Sequence, residues 1–189
     1  MFGDPHTVTL DGHMYTFNGK GEFILIETIS NRFTLQGRMV EATNAGQMAV
    51  SATVFSALAG KEDYSDTVQF ELNSTNQVIA LVNGELVDFE GLSEQEFDNV
   101  TVTDLGNNKL AATFSSGIYL DVKEENAFLS IVIVSLPTSF QGTTRGLMGS
   151  FNGDISDDLV PRYRTEPIPN NSSLKTIHES FGVTCKLSL

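Results

Sequence analysis

The sequence predicts an all-β fold, an antiparallel two-sheet β-sandwich closed by one short C-terminal helix. Three observations carry that expectation. Runs of apolar residues recur at every second position, at Val68-Phe70-Leu72, Val78-Ala80-Val82, Leu110-Ala112-Phe114 and Ile118-Leu120-Val122, the period of a strand with one face in a core. Turn dipeptides punctuate the chain at Asp11-Gly12, Asn18-Gly19 and Asn83-Gly84. Only one stretch, 172–182, carries a helical period.

The elements follow in order. Thr7 to Leu10 runs into Asp11-Gly12, and Tyr15-Thr16-Phe17 into Asn18-Gly19, each a hairpin signal. Phe23-Ile24-Leu25-Ile26 is a continuous apolar run, as expected of a strand buried on both faces. Alternation resumes at Met48-Val50-Ala52-Val54 and continues through the runs named above, with Asn83-Gly84 as a tight turn. Phe128 to Leu136 reads as a long central strand ended by Pro137, which lacks the N–H a ladder needs. Pro161, Pro167 and Pro169 make 160–171 an extended crossing loop. Ser172 or Ser173 caps the helix, Leu174, Ile177, His178 and Phe181 share a face, and Gly182 stops it.

Composition narrows the function. The 189 residues suffice for one sizeable core, and the chain is expected to be a single domain over 1–189. A formal net charge of -13, with only 11 Lys and Arg, disfavours nucleic acid, whose phosphates need clustered cations. The longest apolar run, Ala127 to Leu136, falls short of the ~20 residues that span a bilayer, so no direct membrane insertion by this segment is expected. No signal peptide opens the chain, and Met1-Phe2-Gly3-Asp4 is expected to be a cut made in a longer protein. Cys185 is alone and has no internal disulfide partner; a core residue and a pairing residue for a neighbouring module are both open readings. Acceptor sequons at Asn73, Asn99, Asn170 and Asn171 point to an extracellular glycoprotein.

An oxygen-rich loop follows the late strands, Asn152-Gly153-Asp154-Ile155-Ser156-Asp157-Asp158. Its side-chain oxygens, with carbonyls exposed beside Gly153, suit the ~6–8 oxygen ligands of Ca2+. The loop is not an EF-hand, because Asp157 and Tyr163 occupy the positions that need Gly and Glu. A solvated acidic turn is the other reading.

Two motifs go further. Gly3-Asp4-Pro5-His6, followed by Thr9-Leu10-Asp11-Gly12 and Tyr15-Thr16-Phe17-Asn18-Gly19, opens the chain; Gly146-Leu147-Met148-Gly149-Ser150-Phe151-Asn152-Gly153-Asp154, continuing to Asp157-Asp158, stands near its end. In this order they resemble the two ends of a von Willebrand factor type D (VWD) domain, over a motif core of about 3–182. Gly21 and Met148 stand where members of that family usually have Cys, as in the cysteine-poor D domains of membrane-anchored mucins and sushi-domain-containing surface proteins. The resemblance implies a non-enzymatic, calcium-stabilised structural and adhesion module of an extracellular or cell-surface protein. Its partners would be other extracellular modules or proteins of the same parent chain. It also implies a ligand set for Ca2+: the side chains of Asp11, Asn152, Asp157 and Asp158 and the main chain of Asp154, with Ser150 where many members have Asn.

The Asp4-Pro5 bond offers a second function. The Asp4 carboxylate can attack its own carbonyl carbon to form a cyclic anhydride, while the Pro5 nitrogen leaves protonated. His6 is a candidate proton donor, and the resemblance implies self-processing of this kind in some members. A turn fixed by Pro5 is the plainer reading. A carbohydrate-binding β-sandwich is a third function, for which no Trp and 4 Tyr give few stacking surfaces. His13 and His178 read as structural. Glu94 with Glu96, and Glu124 with Glu125, read as solvated carboxylates in turns rather than a glycosidase pair.

Overall fold

The computed structural model describes residues 6–30, 32–43 and 49–187, with backbone alone at 43 and 49–51. Fourteen strands are named among them. A small two-stranded sheet pairs β1 (His6–Val8) with β2 (Met14–Thr16), His6 opposite Thr16. The main antiparallel sheet system holds β3 (Gly21–Thr28), β4 (Phe33–Thr43), β5 (Ala49–Glu62), β6 (Val68–Leu72), β7 (Val78–Val82) and β8 (Glu85–Leu86). It continues with β9 (Glu94–Phe97), β10 (Val100–Asp104), β11 (Lys109–Phe114), β12 (Tyr119–Glu125), β13 (Phe128–Ser135) and β14 (Thr144–Arg145).

The corner of the sandwich is β5. One edge pairs with β4; the other pairs with β6 along Ala57–Gly60 and meets β13 at Phe55 opposite Leu129. One layer therefore reads β14-β3-β4-β5-β6-β7-β8 and the other β13-β12-β11-β10-β9. Their inner faces meet in an aromatic contact. Phe33 of β4 packs edge-on against Phe114 of β11, ring centroids 5.3 Å apart, an arrangement that suits the ring quadrupoles. Gly60 lies beneath the same ring, where a Cβ would come 3.2 Å from Phe114.

Most of the sequence-derived strands form where expected. The two central residues of the Asn83-Gly84 turn both have positive φ, 51° and 88°, as a tight hairpin turn between right-twisted strands requires. Phe23 to Ile26 is buried throughout within β3.

Four details differ. Asn18-Gly19 is not a hairpin turn: β2 pairs with β1, and β3 pairs with β4 and β14. Gly19 is there for close approach, since a Cβ would sit 2.4 Å from Phe17 and 2.5 Å from Phe23. Along 52–57 of β5 the buried side chains are Thr53, Phe55 and Ala57, so Ala52 and Val54 face outward; their alternation was real, but Phe55 won the core face. Glu94 and Glu96 lie in strand β9 and Glu124 and Glu125 in β12, not in turns.

The C-terminal helix is also less regular than its pattern. Ser173 caps it, its Oγ accepting from the Thr176 amide at 3.2 Å. One α-helical turn, Leu174–Thr176, passes into a π-turn, Ile177–Phe181, and then a 3-10 turn, Gly182–Cys185. Ile177 and Phe181 are buried, whereas Leu174 is 63% exposed. Gly182 does not stop the helix; its φ of -56° is helical, and a Cβ there would come 2.0 Å from Phe17. His178 packs on the same Phe17 ring at 5.3 Å, a structural role as expected. Cys185 is a free, fully buried thiol.

Candidate functional site

The acidic loop after β14 closes onto the opening hairpin. Asp11 sits in the connection between β1 and β2, where the Thr9 amide donates to the His13 carbonyl at 2.9 Å. Its Oδ2 accepts from the amides of Asn152 (3.0 Å) and Gly153 (2.8 Å). The two motifs, 141 residues apart, are thus joined through one carboxylate. Leu10 adds a main-chain bond to the Met148 carbonyl at 2.8 Å.

Inside the loop the polar groups satisfy one another. Asn152 donates Nδ2 to Asp157 Oδ2 at 2.7 Å, and Ser150 donates Oγ to Asp157 Oδ1 at 3.0 Å. The Asn152 Oδ1 accepts the Asp154 amide, and Asp154 Oδ1 accepts the Ser156 amide, capping a 3-10 turn over Ile155–Asp157. Those bonds from Ser156 hold the Asp154 carboxyl below its usual range.

Asp158 differs from the others. It is 1% exposed. Its Oδ2 accepts a 2.6 Å hydrogen bond from Thr9 Oγ1, while its Oδ1 is buried with no hydrogen-bond partner among the described residues. Gly149, at φ 73°, makes room for it, because a Cβ there would come 2.4 Å from Oδ1. Burial pushes the Asp158 carboxyl up to about 6, and the charges of Asp11 and Asp157 push the same way against the Thr9 hydroxyl and the nearby Ser150 main-chain N–H.

The structure thus brings Asp11, Asn152, Asp157 and Asp158 into one neighbourhood and turns the Asp154 side chain outward. Among the described residues no three His, Cys, Asp or Glu converge closely enough to hold a metal by themselves. The donor set nevertheless suits a hard cation. It is all oxygen, and it contains a buried carboxylate oxygen that nothing else satisfies. Ca2+ held here would draw on Asp158, Asp157, Asp11 and Asn152, with main-chain carbonyls completing the shell.

Thr9 was part of a quoted motif, but its pattern did not announce its bond to Asp158. Sequence reasoning also missed a neighbouring ionic cluster. Glu27 of β3 is buried and accepts from Arg145 Nε (2.9 Å), Arg162 Nε (3.2 Å) and Arg162 Nη2 (3.1 Å). Burial alone would raise its pKa; the bonds and charges of Arg162 and Arg145 outweigh that and hold it below the usual value. These residues lie 118 and 135 positions from Glu27, so no local signal links them.

Of the other expected sites, Asp4 and Pro5 lie outside the described residues. His6 is exposed, with Nδ1 3.5 Å from Thr16 Oγ1. The sequon asparagines sit at turns and loop ends. Asn99 donates its amide to the Tyr64 carbonyl (2.8 Å), Asn170 to Ile155 (2.6 Å) and Asn73 to Gln77 Oε1 (3.2 Å), while Asn171 is exposed. No helix among the described residues is long and apolar enough to cross a membrane.

Comparison with known proteins gives the family of the chain. Human Sushi domain-containing protein 2 is 34% identical over 84% of the chain, which covers 19% of that protein. Protein mesh of Bombyx mori is 32% identical over 96% of the chain and 12% of its own length. Human mucin-4 is 33% identical over the whole chain, which covers 4% of that protein. The chain therefore spans a small fraction of the relatives it matches. These relatives are extracellular or cell-surface proteins, as expected for this chain from its sequence. The family model for the von Willebrand factor type D domain matches residues 1–165, which include both motifs and the loop that joins them, and the chain belongs to that family.

Proposed function

We propose that the chain is a calcium-stabilised structural and adhesion module within a larger mucin-like or multi-domain cell-surface protein. The observation that carries this reading is Asp158, a nearly inaccessible carboxylate with one unsatisfied oxygen beside Asp11 and Asp157. Burying a carboxylate is costly unless it is paired, and a divalent cation is the partner that this oxygen-only surrounding suits. The ion would neutralise the carboxylates and brace the opening hairpin against the loop of 149–158. Its chemistry is electrostatic and structural, and the chain acts as a non-enzymatic scaffold.

Thermal unfolding in calcium and in excess chelator, on this chain and on Asp158→Ala, tests the reading. Calcium is expected to raise the Tm of the parent chain, and the variant is expected to start low and ignore calcium. A Tm identical in calcium and chelator would overturn it.

A second reading is self-processing at Asp4-Pro5. What favours it is that β1 begins at His6 and is held by β2, while Thr9 is tied to Asp158. A chain cut between Asp4 and Pro5 would keep its part from His6 onward paired in that sheet. Intact mass after prolonged incubation at mildly acidic pH measures it: loss of Met1 to Asp4 supports cleavage, and an unchanged mass rules it out.

A further inference from the structure

Three of the five arginines in this acidic chain, Arg145, Arg162 and Arg164, line one cavity of about 280 Å³. Glu27 anchors two of them, so these four side chains carry a surplus of two positive charges, which Asp157 and Asp158 on the same lining offset unless a cation neutralises them. Arg162 is held by both its Nε and its Nη2 on Glu27, with its side chain only 18% exposed. That fixes a guanidinium in place before any ligand arrives. Arg164 is exposed, and its side chain makes no ion pair with a described residue. Tyr163 stands between them in sequence, 79% exposed, with the Arg162 guanidinium 5.7 Å over its ring.

We infer that this cavity is a docking site for an acidic side chain, a carboxylate presented by a peptide segment of a neighbouring protein module. Guanidinium groups recognise carboxylates through planar, charge-assisted pairs, and a guanidinium already held by Glu27 loses little freedom on binding. An exposed Tyr beside arginines is the composition of a protein-binding hot spot. The cavity has room for one side chain rather than a folded surface. With a net charge of -13, the domain repels acidic partners at long range. A cavity lined by three arginines is then the place where such a segment can be held, and the one that selects it.

Asp157 and Asp158 line the same cavity. Calcium on those carboxylates would remove their repulsion of an incoming carboxylate, so docking is expected to tighten in calcium. Only this calcium dependence rests on the reading proposed above.

The test titrates the whole chain, in calcium and in chelator, with a short blocked peptide of Glu and Gly and with its Gln counterpart, by calorimetry and NMR. The Glu peptide is expected to bind saturably and shift the resonances of Tyr163 and Arg164, while the Gln peptide does neither. Arg164→Gln is expected to weaken binding about tenfold, with Tm and its response to calcium unchanged. Arg162→Lys, which keeps the charge but loses the planar fork, is expected to weaken it as well. Equal binding of the Glu and Gln peptides, absence of binding, or indifference to Arg164→Gln would each sink the proposal. So would saturable binding of sialyllactose with none of the Glu peptide, which would assign the cavity to an acidic glycan. Failure of the calcium reading appears separately, as a Tm that does not respond to calcium.

Discussion

Thr9 and Asp158, 149 residues apart, are joined by a 2.6 Å hydrogen bond from Oγ1 to Oδ2 inside the protein. That bond locks the opening hairpin to the end of the acidic loop and leaves the other Asp158 oxygen with no hydrogen-bond partner among the described residues.

Thr9→Val keeps the shape of the side chain and removes the donor, leaving a buried carboxylate without its partner. It is expected to cost about 1–3 kcal/mol of stability, measured by denaturant unfolding in chelator. Asp158→Asn should behave in the opposite way. It removes the buried charge, so in chelator it is expected to be at least as stable as the parent chain, yet to gain nothing from calcium. A calcium response preserved in Asp158→Asn would remove Asp158 from the site.

The pH dependence follows from the raised pKa of Asp158. Its folded value is about 6, above the unfolded value of about 4, so between those limits the native state holds the extra proton. Stability in chelator is therefore expected to fall as pH rises from about 4 to about 6, by on the order of 2–3 kcal/mol, and then to level off. Glu27, held low by its arginines, works the other way and loses its contribution only as pH drops below its unfolded value. Calcium should abolish the loss above pH 6. Unfolding curves at pH 5 and 7.5, with calcium and with chelator, decide it; a chelated protein more stable at pH 7.5 would contradict the assignment.

Glu27 tests the arginine cluster. Glu27→Gln leaves Arg145 and Arg162 without their counter-charge, and a loss of about 2 kcal/mol is expected, held down by the partial exposure of both guanidiniums. Denaturant midpoints measure it. A variant as stable as the parent chain would show the ion pairs to be energetically idle.

Gly19 and Gly182 both lie against Phe17, and both serve close approach rather than a turn or a helix stop. Gly19→Ala and Gly182→Ala force a Cβ to 2.4 Å and 2.0 Å from that ring, and each is expected to lose about 1–3 kcal/mol or more through overpacking. A Tm within a degree or so of the parent chain would show that Phe17 yields to the added methyl.

What was readable in advance followed from short-range chemistry. Asn83-Gly84 turned because its residues tolerate positive φ, β6, β7, β11 and β12 formed where a period of two met bulky apolar side chains, and β3 formed on a continuous apolar run. Asn18-Gly19 carried the same signal as Asn83-Gly84 and yielded no hairpin. The difference is that Phe17 and Phe23 needed the missing Cβ. In β5 the pattern was right but its face was wrong, since the Phe55 ring, paired opposite Leu129, outweighed Ala52 and Val54. The acidic loop was legible because its carboxylates are neighbours in sequence.

The sequence by itself determined the strand class, the turn positions, the two motifs and hence the family, because each is written in residues close together or in a recognisable order. Only the tertiary structure decided that Thr9 would hold Asp158, that Asp158 rather than its neighbours would be buried and unsatisfied, and that Glu27 would gather Arg145 and Arg162. Those relations depend on which side chains the folded sheets bring within hydrogen-bond reach. Burial then changes what such groups cost and do: a carboxylate that is ordinary in solution becomes, without water, a group whose charge must be paired or protonated.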